Sequence, residues 1–257
     1  EAQRTGSRLV VAAGGDGTVH AVVNGLTGGD AMLGLLPLGT ANDLARELAL
    51  PRDARRAATR LLEGRPRKVD VATVAGRRFL TVAGLGLVSS SALAVSRAKG
   101  ASWLSRRAAE LLGGGSYRVA AALEILTRRR ITNRLRITWT DPATGLEETR
   151  ELDAHALFIT NHRTCGGGLR VPSGGRADDG VLELCVVPAT TRARLVANLQ
   201  RLSSGRTIPP EILTVIPATR ALIELAEPDH MIADGELVSR GTRFEVGVER
   251  ESLDVVV

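Results

Sequence analysis

Residues 9–18 read Leu-Val-Val-Ala-Ala-Gly-Gly-Asp-Gly-Thr, an apolar run followed by a glycine turn and the start of a helical pattern. Glycine tolerates positive φ and lets a backbone approach a phosphate closely. Successive amides in such a turn, with a helix N-terminus behind them, attract anions. The stretch therefore predicts a strand, a phosphate-binding loop over Gly14, Gly15 and Gly17, and a helix capped by Thr18.

The loop also carries a carboxylate, Asp16. Anion-binding loops seldom hold a negative charge unless a metal or a hydroxyl proton is handled there. Magnesium is a hard cation that keeps several waters and bridges phosphate oxygens with the help of one or two carboxylates. Asp16 therefore predicts nucleotide chemistry, with simple helix capping as the alternative. The loop is not a Walker sequence, because no Gly-Lys-Ser/Thr follows it.

A second strand-to-helix junction follows at residues 33–46, where an apolar run leads into Gly39-Thr40. Thr40 is predicted to cap a helix whose first turn carries Asn42 and Asp43. A negative charge in a first turn is favoured by the helix dipole alone, so a purely local role for Asp43 stays open.

Together these motifs resemble the diacylglycerol kinase catalytic domain family, which groups lipid kinases and is related to sphingosine kinases and NAD kinases. The resemblance continues through Asn161 with Gly166-Gly167-Gly168, through Asp178-Asp179-Gly180, and through Asp234-Gly235-Glu236. It implies an ATP-dependent lipid kinase of phospholipid biosynthesis, with diacylglycerol as the default acceptor and phosphatidic acid as the product. A sphingoid base or another lipid stays open as the acceptor.

The resemblance also implies roles for individual residues. Glu236 is the expected general base, with Asp16 as a second catalytic carboxylate. Asp179 and the carbonyls of Arg176 and Val181 are expected to hold a structural Mg²⁺. An ordinary hairpin tip and an ion-free acidic turn are the respective alternatives. The residues expected to contact ATP are Gly14, Gly15, Asp16, Gly17, Thr18, Val19, His20, Thr40, Asn42 and Asp43.

Three departures from the family pattern bear on activity. His20-Ala21 stands where relatives often have Asn-Glu, and Val88 stands where an Asp is often found. The family's amino-terminal strand–helix–strand segment is missing ahead of the glycine loop, so the chain is expected to be a fragment. These departures favour one alternative from another class, a non-catalytic nucleotide- or lipid-binding regulator on the same fold.

The composition is that of a globular chain of 257 residues, 44% hydrophobic and 24% charged. The pI near 10.4 accompanies a net charge of only +6. Lys68 and Lys99 are the only lysines. We therefore interpret the arginine excess as a bias of the overall composition and not as a sign of nucleic-acid binding. Because only 2% of the residues are aromatic, no nucleic-acid partner is expected. Two widely spaced cysteines indicate a reducing compartment.

The order of elements predicts two domains. Residues 1–72 alternate strands and helices, which is typical of a doubly wound α/β domain. Its predicted elements are strands 9–13 and 33–36 and helices 18–26, 41–49 and 53–63. Residues 73–252 are predicted as a mainly antiparallel β-sandwich for the lipid substrate, with a hairpin turn at Ala75-Gly76. Its predicted strands include 220–226, 231–233, 237–239 and 243–248. Strand 253–257 is expected to return to the first domain.

No apolar stretch approaches the roughly 20 residues of a membrane span. A cytoplasmic protein that associates peripherally with membranes is therefore expected. Arg128-Arg129-Arg130 and the segment 97–107, which holds Trp103, are candidate contacts for anionic lipid, with a solvated basic face as the alternative. A homodimer is left open.

Overall fold

The computed structural model describes residues 6–26, 31–39, 41–101, 115–127, 131–162, 164–165, 169–170, 175–203 and 211–257. Their helices are α1 (Asp16–Gly25), α2 (Asp43–Glu47), α3 (Ala54–Glu63), α4 (Leu87–Ala101), α5 (Gly115–Thr127) and α6 (Arg192–Ser203). Their strands are β1 (Leu9–Gly14), β2 (Met32–Pro37), β3 (Pro66–Val74), β4 (Arg77–Phe79), β5 (Val82–Gly86), β6 (Asn133–Thr140), β7 (Glu147–Thr160), β8 (Thr164–Cys165), β9 (Leu169–Arg170), β10 (Leu182–Pro188), β11 (Thr214–Ala218), β12 (Arg220–Ala233) and β13 (Glu236–Val256).

The amino-terminal part has parallel strands with a helix on each face. β1 pairs in parallel with β2, and the end of β13 joins β2 in parallel, with Val255 opposite Leu33. Val23 of α1 shares a core with Leu33. The next residue, Gly34, faces the other way, and a Cβ there would stand 2.8 Å from Cδ2 of Leu61 in α3. Successive strand residues point to opposite faces, which confirms the doubly wound prediction.

The other strand pairs of the described residues are antiparallel. On the side away from β13, β12 pairs with β6 over Arg220–Leu225 and then with β5 at Ile232–Ala233. β7 pairs with the same two strands. β5 and β6 therefore follow one another end to end between β12 and β7. β13 pairs with β2, β3 and β12, so this one strand joins the α/β part to the antiparallel part.

The antiparallel strands enclose the largest hydrophobic core, as a β-sandwich requires. Fully burying one large aliphatic or aromatic side chain contributes about 1.5–3 kcal/mol. The largest fully buried side chains in this core are Phe79, Leu85, Leu135, Ile137, Leu157, Ile159, Leu182 and Phe244.

A layer of helices covers the outside of the sandwich. α4 packs against α5, and α5 packs against α6. Ile125 of α5 and Leu195 of α6 share a separate core with Phe158 of β7 and Cys185 of β10. None of the helices described is both long enough and apolar enough to cross a bilayer.

Several sequence-predicted boundaries were wrong. The helix predicted at 41–49 is only α2, because Asn42 and Ala49, which flank it, have positive φ of 49° and 54°. Asn42 is the residue at its N-cap, so the cap predicted at Thr40 was wrong. Separate strands predicted at 220–226 and 231–233 are the single strand β12, and those at 237–239, 243–248 and 253–257 are the single strand β13. The predicted hairpin turn at Ala75-Gly76 is confirmed.

Candidate active site

The glycine loop connects β1 to α1 as the sequence predicted. Gly15 is the N-cap residue of α1, and no side chain caps this helix end in the described structure. The amides of Thr18 and Val19 both donate to the Gly15 carbonyl, at 3.0 and 3.1 Å. Uncapped amides of a first helical turn, together with the helix dipole, favour an anion. The loop is therefore a suitable phosphate site, but the predicted cap by Thr18 is wrong because Gly15 holds that position.

The second Gly-Thr loop packs directly on the first. A Cβ on Gly39 would overlap Cα of Gly15, so glycine is needed at position 39. The Asn42 side chain closes the second loop by accepting from the Gly39 amide at 3.0 Å and donating to the Gly39 carbonyl at 2.6 Å. Thr40, a predicted ATP contact, lies outside the described residues.

Asp16 links the two loops. One carboxylate oxygen accepts from the Asn42 amide at 3.0 Å and the other from the Asp43 amide at 2.7 Å. Asp16 thus caps α2, a helix that begins 27 residues later. Each oxygen keeps a further lone pair, so the predicted catalytic role is compatible with this geometry and stays a prediction. Asp43 is buried and lies 3.7 Å from the guanidinium of Arg46.

Glu236 lies over the glycine loop although it comes from the far end of the chain. Asp234 and Gly235 form the two-residue turn between β12 and β13, with φ of 48° and 88°. Positive φ at both central residues is typical of a type I′ hairpin. The exposed carboxylate of Glu236 projects so that Oε1 stands 3.3 Å from where a Cβ on Gly17 would be. The structure therefore brings the predicted base to the predicted phosphate loop.

Asp234 anchors this hairpin, a role that the sequence interpretation missed. Its buried carboxylate accepts from the amides of Leu80, Thr81 and Val82 and from the Thr81 hydroxyl, at 2.7–3.3 Å. It also contacts Nδ1 of His20 at 3.2 Å. Burial raises the pKa of Asp234, but the hydrogen bonds from His20, Leu80 and Thr81 outweigh burial and hold the pKa below its ordinary value. Asp234 is therefore ionised at neutral pH.

The side chains of His20 and Val19, both predicted ATP contacts, are buried against other residues of the protein. Val19 packs its side chain into the core beside α1. His20 is buried between Asp234 and Asn24, whose amide nitrogen lies 3.3 Å from His20 Nε2. Asn24 in turn exchanges hydrogen bonds with the backbone of Arg78 in β4. The side chain of His20 therefore connects α1 to the hairpin that carries Glu236.

The predicted structural Mg²⁺ loop is held by protein contacts. Asp179 accepts from the Val181 amide at 3.0 Å. Its neighbour Asp178 pairs with Arg176 at 3.0 Å and Arg67 at 2.8 Å, and these hydrogen bonds hold the pKa of Asp178 below its ordinary value. The part of the chain that the structure describes contains no group of three potential metal-ligand side chains. Asp179 is the single side chain expected to bind this Mg²⁺, beside two backbone carbonyls, and the ion stays a prediction.

Asp70 is a second residue that the sequence interpretation missed. This fully buried carboxylate accepts from the Gly180 amide at 2.6 Å and the Glu251 amide at 2.7 Å. Its backbone carbonyl accepts from the side chain of Asn161 at 3.0 Å. The signal was a lone carboxylate inside the apolar run Val69-Asp70-Val71. For Asp234 the signal was its turn position two residues before Glu236.

His162 is fully buried just after β7, and neither of its ring nitrogens has a hydrogen-bond partner among the described residues. The pKa of His162 is lowered to about 4, mainly because the imidazole is buried. The charge of Asp234 raises this pKa and the charge of Arg67 lowers it further. The imidazole is therefore neutral at pH 7. The glycines at 166–168, which contributed to the resemblance, lie outside the described residues.

Comparison with known proteins agrees with this geometry. Residues 1–74 match the diacylglycerol kinase catalytic domain, and residues 91–257 match the YegS C-terminal NAD kinase beta sandwich-like domain. The predicted division at residue 72 stays a prediction. A "Probable lipid kinase YegS-like" protein of Chromohalobacter salexigens is 32% identical over 207 residues, which cover 77% of this chain and 60% of that protein. The chain thus spans less than two thirds of that relative's length.

Two further proteins are similar over most of the chain. A protein named diacylglycerol kinase from Bacillus subtilis is 29% identical over 232 residues, covering 89% of this chain and 71% of that protein. The crystal structure of a diacylglycerol kinase from Bacillus anthracis shares the fold, with a TM-score of 0.68 and 22% identity over 97% of this chain and 76% of that one. The chain belongs to the diacylglycerol kinase catalytic domain family, with a YegS-type β-sandwich as its second part.

Proposed function

We propose that this chain is the catalytic part of an ATP-dependent lipid kinase that phosphorylates diacylglycerol to phosphatidic acid. One observation carries the proposal: the Glu236 carboxylate stands over Gly17 of the glycine loop. Phosphoryl transfer requires an acceptor hydroxyl, a base for its proton and a site for the phosphates within a few ångströms of one another. The hairpin and the glycine loop supply the last two.

The two packed loops support a nucleotide at this place. The uncapped amides at the start of α1 suit the phosphates, since they carry partial positive charge and no side chain of the described residues caps this helix end. The close contact of Gly15 with Gly39 fixes the position of one loop relative to the other. Hydrogen bonds stabilise that contact, because the Asn42 side chain accepts from the Gly39 amide and Asp16 accepts from the Asn42 amide.

Glu236 acts as the general base in this proposal. As the acceptor oxygen bonds to the γ-phosphorus, the bond from that phosphorus to the bridging oxygen of ADP breaks. The proton of the hydroxyl passes to the Glu236 carboxylate. Asp234 does not touch the reactants, and its hydrogen bonds to residues 80–82 keep the hairpin in position.

Magnesium suits this arrangement, because the ion is held largely by substrate phosphates and needs only one or two protein carboxylates. Asp16 would hold the ion through water, because each of its carboxylate oxygens already accepts a backbone amide and keeps one further lone pair. When bound, the ion neutralises charge on the transferring phosphoryl group.

The lipid acceptor is supported by the names of the relatives, a lipid kinase in one case and a diacylglycerol kinase in the other. A lipid acceptor also implies that the protein works at a membrane surface, as a peripheral protein with no nucleic-acid partner.

The test is transfer of labelled γ-phosphate from ATP to a panel of micellar lipids with Mg²⁺, on a chain that includes any natural upstream segment. Glu236→Gln is compared with Glu245→Gln, an exposed carboxylate on the same strand. We expect label in diacylglycerol, a loss of about a hundredfold or more with Glu236→Gln because the base is removed, and no change with Glu245→Gln.

Other outcomes would change the proposal. Equal transfer by both variants would keep the kinase but remove Glu236 as the base. Label in a sphingoid base rather than diacylglycerol would replace the acceptor. Saturable ATP binding with no transfer to any lipid would favour the non-catalytic regulator.

A further inference from the structure

Helix α5 exposes apolar side chains on the face that points away from the protein core. Val119, Leu123 and Leu126 are 49%, 55% and 63% exposed. Their spacing of four and then three residues places them on one face of the helix. The opposite side is also apolar, since Ile125 is fully buried against the sandwich. A helix that only covers a core would present polar residues outward. This second apolar face therefore indicates a binding surface.

The adjoining helix α6 extends this surface and adds positive charge. Val196 is 39% exposed, and Arg192, four residues earlier on the same side of the helix, is exposed beside it. Arg192 donates to the Leu126 carbonyl at 3.3 Å, which fixes its guanidinium next to the last leucine of α5. The sequences of the two helices contain four arginines and one glutamate. We call Val119, Leu123, Leu126, Val196 and Arg192 the α5–α6 face.

We infer that the α5–α6 face docks on an anionic lipid surface. Exposed apolar side chains beside an arginine can enter the boundary between headgroups and acyl chains while the guanidinium pairs with an anionic headgroup. A soluble partner would need to match both an apolar stripe and its basic border, whereas an anionic bilayer offers both at once. This inference rests on the proposed function, since a lipid acceptor is presented by a membrane.

The face is connected to the candidate site by packed elements. β5 pairs Ala83 and Gly84 with Ala233 and Ile232, directly before the hairpin that carries Glu236. β5 continues into α4, and α4 packs against α5. Docking through α5 and α6 would therefore hold the Glu236 hairpin at a fixed position relative to the bilayer.

The experiment measures binding to phosphatidylcholine vesicles with and without phosphatidylglycerol by co-sedimentation. Leu123→Ser with Leu126→Ser is compared with Leu62→Ser, which alters a leucine on α3 that is 88% exposed. We expect the double variant to bind mixed vesicles at least about tenfold more weakly, because two leucines no longer insert. Leu62→Ser should bind as the unaltered chain does. Since all three leucines are exposed, the thermal midpoints should be equal.

A charge variant tests the second component. Arg192→Gln should lower binding to mixed vesicles severalfold and leave the weaker binding to pure phosphatidylcholine unchanged. Arg194→Gln is the matched control, because Arg194 is exposed on the other side of α6, and it should bind as the unaltered chain does. Equal vesicle binding by the double leucine variant and the unaltered chain would overturn the inference. So would a dimer of the unaltered chain, by sedimentation velocity, that the leucine variant converts to a monomer without losing vesicle binding.

A water-soluble acceptor distinguishes a failure of the proposed function from a failure of the docking face. The double leucine variant should phosphorylate a short-chain, water-soluble diacylglycerol normally and vesicle-borne diacylglycerol poorly. If no lipid is phosphorylated but vesicle binding still depends on Leu123 and Leu126, the kinase proposal fails and the docking face stands. If phosphorylation is normal on vesicles with both variants, the docking face fails and the kinase stands.

Discussion

Nδ1 of His20 lies 3.2 Å from Oδ2 of Asp234, and this contact joins the helix after the glycine loop to the hairpin before Glu236. Both side chains are less than a tenth exposed. The other partners of the Asp234 carboxylate belong to residues 80–82 at the start of β5. Asp234 therefore fixes the hairpin to the sandwich, and His20 fixes the same hairpin to the nucleotide loop.

Replacement of His20 should loosen the attachment of the hairpin to the nucleotide loop and leave its attachment to the sandwich intact. In His20→Ala, Asp234 keeps its contacts with residues 80–82, so we expect a stability loss of about 1 kcal/mol. Because the hairpin loses its link to α1, kcat should fall about tenfold with little change in KM for ATP. His20→Asn should recover most of kcat, since an Asn amide nitrogen can donate from roughly the position of Nδ1. Steady-state kinetics and urea unfolding of both variants test this, and equal damage by both would refute the link.

Asp234→Asn should be more harmful to folding. The amide cannot accept all of the hydrogen bonds that the buried carboxylate accepts, and its own NH₂ would face other donors. We expect a loss of about 3 kcal/mol in the free energy of unfolding. Urea unfolding measures it. A variant as stable as the unaltered chain would show that Asp234 does not anchor the hairpin.

Gly39 tests the contact between the two loops. A methyl group at Gly39 would overlap the backbone of Gly15, so Gly39→Ala must move one loop away from the other. We expect ATP binding by calorimetry to weaken about tenfold or more. Gly25→Ala is the matched control, because a Cβ on Gly25 meets open space at the end of α1. If Gly39→Ala binds ATP as tightly as Gly25→Ala, the two loops do not form one site.

The sequence predicted those parts of the site that depend on local chemistry. The glycine turn after β1 and the Ala75-Gly76 hairpin follow from residues that are adjacent in the chain. By contrast, Asp70 receives its hydrogen bonds from the amides of Gly180 and Glu251, more than a hundred residues away. Nothing near Asp70 in the sequence indicates which amides will meet it.

The same limit explains the errors in the helices and strands. Residues 41–49 are rich in Ala and Leu and locally favour a long helix, but α2 begins only where Asp16 can cap it. β12 was predicted as two strands because its apolar alternation is interrupted, and in the structure the pairing register shifts at that place, between Glu224 and Asp229. A β-bulge interrupts the alternation of apolar residues without ending the strand.

Asp16 can be assigned to capping or to catalysis by a matched pair of variants. Asp53 caps α3 by accepting from the Arg56 amide at 2.9 Å, away from the candidate site. Asp53→Asn should leave stability nearly unchanged, because Asn caps a helix about as well as Asp does. Asp16→Asn should lose about 1 kcal/mol, because the new NH₂ would face one of the two backbone amides that Asp16 accepts. If Asp16 also serves the reaction, only Asp16→Asn should lower kcat, by about a hundredfold. Equal kcat in both variants would leave Asp16 as the cap of α2 alone.

His162 should make stability depend on pH in mildly acidic solution. Its pKa is lowered from 6.5 to about 4 by burial. Between these values the unfolded chain binds a proton at this residue and the folded chain does not, so stability must fall as the pH falls through this window. The loss approaches about 3 kcal/mol between pH 7 and pH 4. Urea unfolding across that range, with His162→Asn alongside, isolates this contribution from those of the carboxylates. The variant should lose the dependence between pH 6.5 and about 4, and equal slopes in the two proteins would show that the imidazole becomes charged inside the fold.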